Sequence, residues 1–193
     1  SVSGNGESHF FSIASSPYRL DYILVATRMR PTPYKRALSK LEIGMRFRVT
    51  APNGLWQLPS DKKERVVFFA GGIGITPVRA VMEDAWMENS SRDFTVFYSN
   101  RSLAQAAFLD DFNTWSKEMT SFKFISTVTT NDAAWTGEKG RIDSVLLNKH
   151  LKDATNAVFF LSGPETFVGS MRELLEALGV PKEKINQEIF AGY

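Results

Sequence analysis

The stretch VVFFAGGIGITP, residues 66–77, decides the fold, because an apolar run ends there in three glycines within four positions. Glycine weakens a strand interior, so some other group must approach the backbone closely at this point. A phosphate is one such group, since a helix that begins here offers unpaired N–H groups and the positive end of its dipole. A tight strand-to-helix turn is the other explanation. The loop contains neither G-x-G-x-x-G nor a P-loop lysine that would decide between the two.

Apolar runs alternate with helical patterns through residues 61–193. Runs rich in Val, Phe, Ile and Tyr predict strands at 65–72, 94–100, 122–129 and 157–163. They are too apolar for strands with one solvated face, so we expect a parallel sheet that is buried on both faces. Helical patterns lie at 77–89, 103–119, 143–151 and 165–178. This alternation predicts a doubly wound α/β domain.

The first sixty residues show a different pattern. They contain strand-like segments at 10–15, 21–29 and 45–52, with a short helix at 33–41, which is too little to close a barrel. A proline and a charge cluster, PSDKKERVV at 59–67, mark the boundary. Eight Lys and Arg stand against three Asp and Glu before it, whereas acidic residues are in excess after it. The imbalance is either a chance distribution of surface charge or a contact with something anionic, such as a phosphate-bearing cofactor or an acidic protein.

The composition excludes several classes of protein. Hydrophobic residues make up 43% and charged residues 23% of the 193 positions, as in ordinary globular proteins. With no cysteine, disulfides, cysteine zinc sites and thiolate-held clusters are excluded. The two histidines, His9 and His150, are too few for a histidine metal site, so we expect no metal. We also expect no nucleic-acid or membrane partner and, by default, a cytoplasmic location.

A second loop repeats the arrangement of the first one. In FFLSGPETF, residues 159–167, an apolar strand ends in Gly-Pro, and a helix follows with Glu165 in its first turn. The carboxyl ends of parallel strands face the same crevice, which is where open α/β sheets bind their ligands. Two such loops favour a nucleotide site over a plain turn.

Five segments in order carry a family resemblance: HFFSIASSP (9–17), TRMRPTPYKRAL (27–38), AGGIGITP (70–77), SGPETF (162–167) and EIFAGY (188–193). Together they resemble the ferredoxin–NADP reductase superfamily, in which a flavin-binding β-barrel precedes a nicotinamide-binding α/β domain. The resemblance implies part of an antiparallel flavin barrel in residues 1–60 and a doubly wound NAD(P)-binding domain in residues 61–193. Relatives have further strands before the first motif, so the barrel is expected to be incomplete at its N-terminal end.

On the flavin side, the resemblance implies contacts with FAD from His9, Phe10, Phe11, Ser12, Ala26, Thr27, Arg28, Lys35, Arg36 and Ala37. Phe11 would pack on the isoalloxazine ring and Ser12 would lie near flavin N5. His9 stands where the family has arginine. A plain core aromatic is the alternative for Phe11, and a solvated helix face is the alternative for Lys35 and Arg36.

On the nicotinamide side, the resemblance implies contacts from Gly72, Ile73, Gly74, Ile75, Thr76, Ser99, Asn100, Arg101, Ser162, Gly163 and Pro164. The first glycine loop would admit the pyrophosphate and nicotinamide, and Arg101 fits either NADH or NADPH. Ser162 stands where many relatives have cysteine. Glu188 and Phe190 would lie near the flavin, with Tyr193 as the alternative to Phe190. Ser12, Ser162, Glu188 and Phe190 form the expected catalytic set.

The resemblance implies hydride transfer from NAD(P)H to FAD. Electrons would then pass to a one-electron acceptor such as ferredoxin or another iron–sulfur or haem protein. Because the chain has no cysteine, any cluster must reside on another chain. The alternative is a nucleotide-binding electron-transfer or regulatory subunit without stably bound flavin.

Overall fold

A parallel sheet of six strands forms the centre of the molecule. The computed structural model describes residues 9–46, 48–50, 54 and 56–190. The strands are β1 Arg65–Gly71, β2 Phe94–Asn100, β3 Phe122–Val128, β4 Glu138–Lys139, β5 Ala157–Gly163 and β6 Ile185–Ile189. Their order across the sheet is β4-β3-β2-β1-β5-β6, with every neighbouring pair parallel. The predicted doubly wound α/β fold is confirmed.

Both faces of this sheet are covered, as the apolar runs predict. On β1, Val66 and Phe68 point into one core cluster, and Val67 and Phe69 point into the other. The helices are α1 Pro33–Leu38, α2 Ile75–Met87, α3 Leu109–Glu118, α4 Ser144–His150 and α5 Glu165–Ala177. Residues of α2 and α3 line the first cluster, and those of α4 and α5 line the second. Strands β1, β2 and β5 are therefore mostly apolar because both of their faces are buried, whereas Lys123 of β3 is exposed.

Helix boundaries differ from the prediction where long-range contacts intervene. The helix predicted at 103–119 is a 3₁₀ turn at Leu103–Gln105 followed by α3. Phe108 between them has φ +61°, in the left-handed region, and the Ala107 N–H donates to Tyr98 Oη at 3.0 Å instead of continuing a helix. Helix α2 begins two residues before Pro77, whose missing N–H costs nothing in the first turn.

The strand predictions before residue 60 are wrong for the described residues. Segments 10–15 and 21–29 meet only at one antiparallel bridge, Ile13 with Val25, beside a hydrogen bond from Ala14 N to Leu24 O. An extended segment becomes a strand only where a neighbour supplies a ladder of hydrogen bonds, and neither segment has a further partner strand among the described residues. In 45–52, residues 47, 51 and 52 lie outside the described residues, and the others belong to no strand.

The remaining N-terminal prediction, a helix at 33–41, is confirmed in shortened form as α1. Thr32 caps it, its hydroxyl accepting from the Lys35 N–H at 3.2 Å. Strands β4 and β6 were not predicted, because both are short edge strands with polar sequences. Among the described residues, no helix combines the length and apolar character needed to cross a bilayer.

Candidate functional site

Four neighbouring strands bring the predicted nucleotide residues to one edge of the sheet. The register pairs Gly71 of β1 with Ser99 of β2, Ala70 of β1 with Ser162 of β5, and Ser162 with Glu188 of β6. All of these residues lie at the carboxyl ends of parallel strands, where α/β sheets bind their ligands. The fold therefore brings together residues that lie up to 117 positions apart in the sequence, from Gly71 to Glu188.

The two glycine loops pack directly against each other. A Cβ on Gly74 would lie 2.3 Å from the Ser162 carbonyl oxygen, and one on Gly163 would lie 3.0 Å from the Gly71 oxygen. The Ser162 hydroxyl donates to Gly74 O at 2.7 Å and is buried. Similarly, a Cβ on Gly71 would lie 2.7 Å from the Phe167 ring. Glycine at 71, 74 and 163 is therefore required by contacts within the protein, a reason that the sequence analysis did not foresee.

Gly72 differs from these glycines. Its φ is +55°, and the group nearest to an added Cβ is the Arg28 guanidinium, with Nη2 at 3.2 Å. Helix α2, which follows directly, has no side-chain cap and no acidic residue in its first turn. An anion at this helix start would therefore meet the positive helix end and Arg28 without a competing carboxylate. Helix α5 differs, because Glu165 occupies its first turn.

Asn100, the last residue of β2, carries an unpaired buried amide. The residue is 4% exposed, and neither its amide nitrogen nor its amide oxygen forms a hydrogen bond with the described residues. Nearby Tyr98 accepts a hydrogen bond from Ala107 N, and burial raises the pKa of Tyr98 to about 12 against the opposing effects of the adjacent Asn100 side chain, the Ala107 N–H and the Arg28 charge. A buried amide without partners is costly unless a ligand supplies them, so Asn100 fits a polar group of a nucleotide.

The predicted flavin-side residues gather around Tyr34, which is buried. The Tyr34 ring lies 3.7 Å from the His9 ring and 6.1 Å from the Phe11 ring, between centroids. Lys35 Nζ lies 5.2 Å from the centre of the Phe11 ring and donates to the Thr27 hydroxyl. Burial, and secondly the Arg30 charge, lower the pKa of Lys35. An aromatic and cationic cluster of this kind suits a planar, phosphate-bearing cofactor such as FAD.

One hydrogen bond connects the predicted flavin-side segment, which begins at residues 9–12, to the edge of the sheet formed by the carboxyl ends of the strands. The Ser12 hydroxyl donates to Glu188 Oε1 at 2.8 Å, across 176 positions of sequence. Two residues after Glu188, the Phe190 N–H donates to Gly163 O at 2.9 Å and holds the chain against the second glycine loop. All four expected catalytic residues, Ser12, Ser162, Glu188 and Phe190, thus lie on or beside this edge.

Other predicted site residues are less closely engaged. The N–H groups of Lys35 and Arg36 both bond to Thr32, so only their side chains remain for a phosphate, and Arg36 Nη1 already donates to Pro31 O at 2.9 Å. Phe10 is 89% exposed. Arg101 is exposed, and its carbonyl accepts from Thr130.

The rest of the predicted set can be placed by burial alone. Ile75 and Thr76 are buried at the start of α2, while Ile73, Ser99 and Pro164 are half-buried at the same edge. Ala26 and Ala37 are half-buried in the N-terminal part. Tyr193 lies outside the described residues.

Two residues at the site were missed by the sequence analysis. Tyr34 connects His9 and Phe11, and Tyr98 lies beside the unpaired amide of Asn100. An aromatic residue inside the basic segment PTPYKRAL was a signal for the first. Alternation along β2 was a signal for the second, because residues two apart lie on the same face of a strand.

Comparison with known proteins identifies the family. Residues 68–173, more than half of the chain, match the family described as oxidoreductase NAD-binding domain. The chain belongs to this family. Membership confirms the resemblance to ferredoxin reductases that the motifs indicated. The matched residues include both glycine loops and the end of β2, but neither the flavin-side segment nor Glu188.

Individual relatives extend the likeness beyond the matched domain. The chain is 26% identical over 186 residues to the stachydrine N-demethylase reductase subunit Stc4 of Rhizobium meliloti (strain 1021), covering 93% of this chain and 52% of the relative. The chain spans about half the length of the curated relatives it matches.

Two solved structures show the same likeness. A flavohemoglobin from Malassezia yamatoensis with bound FAD and heme is 34% identical, with a TM-score of 0.61 over 69% of this chain and 33% of that one. The cytochrome P450 reductase GcoB of Amycolatopsis, at 21% identity, shows the same fold with a TM-score of 0.84 over 97% of this chain and 57% of its own.

Proposed function

We propose that the chain is part of a flavin-dependent oxidoreductase that transfers hydride from NAD(P)H to FAD. Residues 1–60 would contribute to the flavin-binding part and residues 61–193 would form the nicotinamide-binding domain. The observation that carries the proposal is the Ser12–Glu188 hydrogen bond, because it holds the flavin-side segment against the edge where the glycine loops meet. Hydride transfer requires two bound rings to lie side by side, and this bond brings the two predicted binding regions together.

The residues present fit both cofactors. The uncapped start of α2, Gly72 and Arg28 suit a pyrophosphate, and the buried amide of Asn100 suits a ribose or base. The Tyr34 cluster suits a flavin ring. When bound, flavin accepts hydride from the nicotinamide and can release its electrons one at a time.

The chain's own task is positioning and exclusion of water. The Ser12 hydroxyl donates to Glu188 Oε1, and this bond fixes the orientation of the carboxylate. The other carboxylate oxygen, Oε2, takes no part in the bond. Phe190, tied to Gly163, would shield the flavin face until the nicotinamide arrives. Ser162 holds the two glycine loops together by its bond to Gly74. Correct placement of two reacting rings supplies much of the rate in such a transfer.

Electrons would leave to a separate one-electron acceptor, such as ferredoxin or another iron–sulfur or haem protein. The relative from Rhizobium meliloti is named a reductase subunit, and the flavohemoglobin combines FAD with heme. This chain has no cysteine for a cluster of its own. These relatives support a one-electron acceptor that lies outside residues 1–193.

Anaerobic reduction tests the proposal. Full-length protein loaded with FAD should lose its flavin absorbance when NADH or NADPH is added and regain it when ferricyanide is added. Bound flavin that neither nucleotide reduces would contradict the proposal. Protein that binds nucleotide but retains no flavin would favour the electron-transfer or regulatory subunit instead.

A matched pair of variants tests whether the nucleotide binds at the carboxyl ends of the strands. Asn100→Leu keeps a side chain of similar volume but removes the amide. The nucleotide concentration for half-maximal flavin reduction should therefore rise by about ten-fold, which corresponds to the loss of roughly one or two hydrogen bonds. Asn113→Leu, on the exposed side of α3, should leave that concentration unchanged. Equal behaviour of the two variants would place the nucleotide elsewhere.

A further inference from the structure

Helix α2 carries a buried ion pair that faces the N-terminal segment. Arg79 and Glu83, one turn apart, are 7% and 2% exposed, and Arg79 Nη1 lies 3.4 Å from Glu83 Oε2. The same Arg79 nitrogen donates to Ala14 O at 2.5 Å, while Nε donates to Asp111 at 2.7 Å. The guanidinium also lies over the rings of Phe108 and Trp115, at 5.0 and 5.5 Å.

The acidic partner makes contacts of the same kind. Glu83 accepts from the Ser16 N–H at 2.7 Å and from Arg19 Nε at 3.3 Å. The next residue, Asp84, accepts from the Ser16 hydroxyl at 2.8 Å. Segment 14–19 is therefore held to α2 through its backbone and through its polar side chains.

These contacts lie between two parts of the proposed site. The N-terminal end of α2 is the first glycine loop, where the nicotinamide would bind. Two residues before Ala14, Ser12 is bonded to Glu188, and Phe11 precedes it in the Tyr34 cluster. The segment that would contact flavin is thus attached to the α/β domain at two points, and α2 is a single rigid element that links one attachment to the nicotinamide loop.

We infer that Arg79 and Glu83 are positioning residues that set the distance between the flavin-side segment and the nicotinamide loop; this inference rests on the proposed function. A buried ion pair is a weak source of stability, because desolvation offsets most of its attraction. Its donors and acceptors are directional, however, and fix the two backbones that they join. Hydride transfer is sensitive to displacements of about 1 Å, so loosening this attachment should slow the reaction.

The test compares Glu83→Gln and Arg79→Met with a matched control. Gln retains the size of Glu83 without its charge, and Met retains the length of Arg79 without its donors. Asp93→Asn alters the Arg65–Asp93 ion pair, which has a 2.7 Å contact but is more exposed than Arg79–Glu83 and lies apart from segment 14–19. Arg79→Lys keeps the charge and should restore part of the lost function.

Two measurements separate a positioning role from a purely structural one. Hydrogen exchange at the amides of Ala14 and Ser16 should rise in Glu83→Gln and Arg79→Met, but not in Asp93→Asn, with amides of β1 and β5 unchanged in all three. The single-turnover rate of flavin reduction should fall by about ten-fold or more, with nucleotide affinity within about two-fold of wild type.

Each other outcome overturns the inference in a recognisable way. Unchanged exchange would show that the pair does not hold the segment. Faster exchange with an unchanged reduction rate would show that the pair holds the segment but positions nothing that matters for hydride transfer. A third result is wild-type protein in which segment 14–19 is protected from hydrogen exchange but bound flavin is not reduced. That result would contradict the proposed function, and the positioning role with it. The attachment of the segment to α2 would still be demonstrated by the exchange measurement.

Discussion

Two glycines of the same domain have opposite environments. At Gly74 an added Cβ would lie 2.3 Å from the Ser162 carbonyl oxygen and 2.7 Å from the Gly163 nitrogen, both backbone atoms that cannot turn aside. At Gly169, inside α5, an added Cβ would meet nothing within 4 Å. The first glycine is required by the contact between two loops, whereas the second is a position where the chain tolerates a side chain.

Gly74→Ala and Gly169→Ala should therefore differ in sign. Gly74→Ala should lower the free energy of unfolding by about 1–3 kcal/mol, because the loops must separate. Gly169→Ala should raise it by up to about 1 kcal/mol, since alanine is the better helix former. Urea unfolding of the two variants measures both. Equal effects would mean that the loops are not in the contact described.

At the scale of elements, periodicity and apolarity predicted most of the sheet. Strands β1, β2, β3 and β5 were predicted within a residue or so at each end because they are rich in apolar residues that pack into the two cores. Strand β6, with the sequence INQEI, was missed because a half-exposed edge strand needs no apolar run. The start of α3 was missed because Phe108 and the Ala107–Tyr98 bond depend on tertiary contacts.

The site was predictable to a different extent. The glycine loops followed from strand ends and helix starts, which are local features. The pairing of Ser12 with Glu188 has no local signal, since 176 positions separate them, and both residues came from the family resemblance. The attachment of segment 14–19 to α2 was not predicted, because Arg79 and Glu83 look like an ordinary solvated pair one turn apart.

Helix α2 should show a pH dependence that is centred on Asp84. Burial, and further the charges of Glu88 and Glu83, raise the pKa of Asp84 above its ordinary value, although the Ser16 hydrogen bond opposes them. Because the folded-state pKa is the higher one, this carboxyl favours folding at a pH below its ordinary value of about 3.9, and that contribution is lost as the pH rises through the folded pKa.

Asp84→Asn removes this penalty and keeps an acceptor for Ser16. The variant should be more stable than wild type at pH 7, by less than about 1 kcal/mol because the carboxyl is only half-buried and solvent screens its charge. The difference should shrink as the pH falls toward 4. Urea unfolding at several pH values measures it, and a difference that stays constant with pH would mean that Asp84 does not titrate as described.

In the whole molecule, the proposed hydride transfer depends on how the N-terminal segment meets the α/β domain. The family match covers residues 68–173, within the sheet and its helices. The flavin-side residues lie outside that match, and reach the domain through the Ser12–Glu188 bond and through α2. We propose that these two parts form one reactive site.

A double-mutant cycle on Ser12 and Glu188 tests whether the two parts act as one site. Ser12→Ala and Glu188→Gln should each slow the reduction of bound FAD by NAD(P)H in single-turnover absorbance measurements. The double variant should be little slower than the slower single variant, a coupling of about 1 kcal/mol or more. Glu183→Gln, at an exposed position before β6, is the control and should combine with Ser12→Ala without coupling. Independent effects of Ser12→Ala and Glu188→Gln, whose factors simply multiply, would contradict the account.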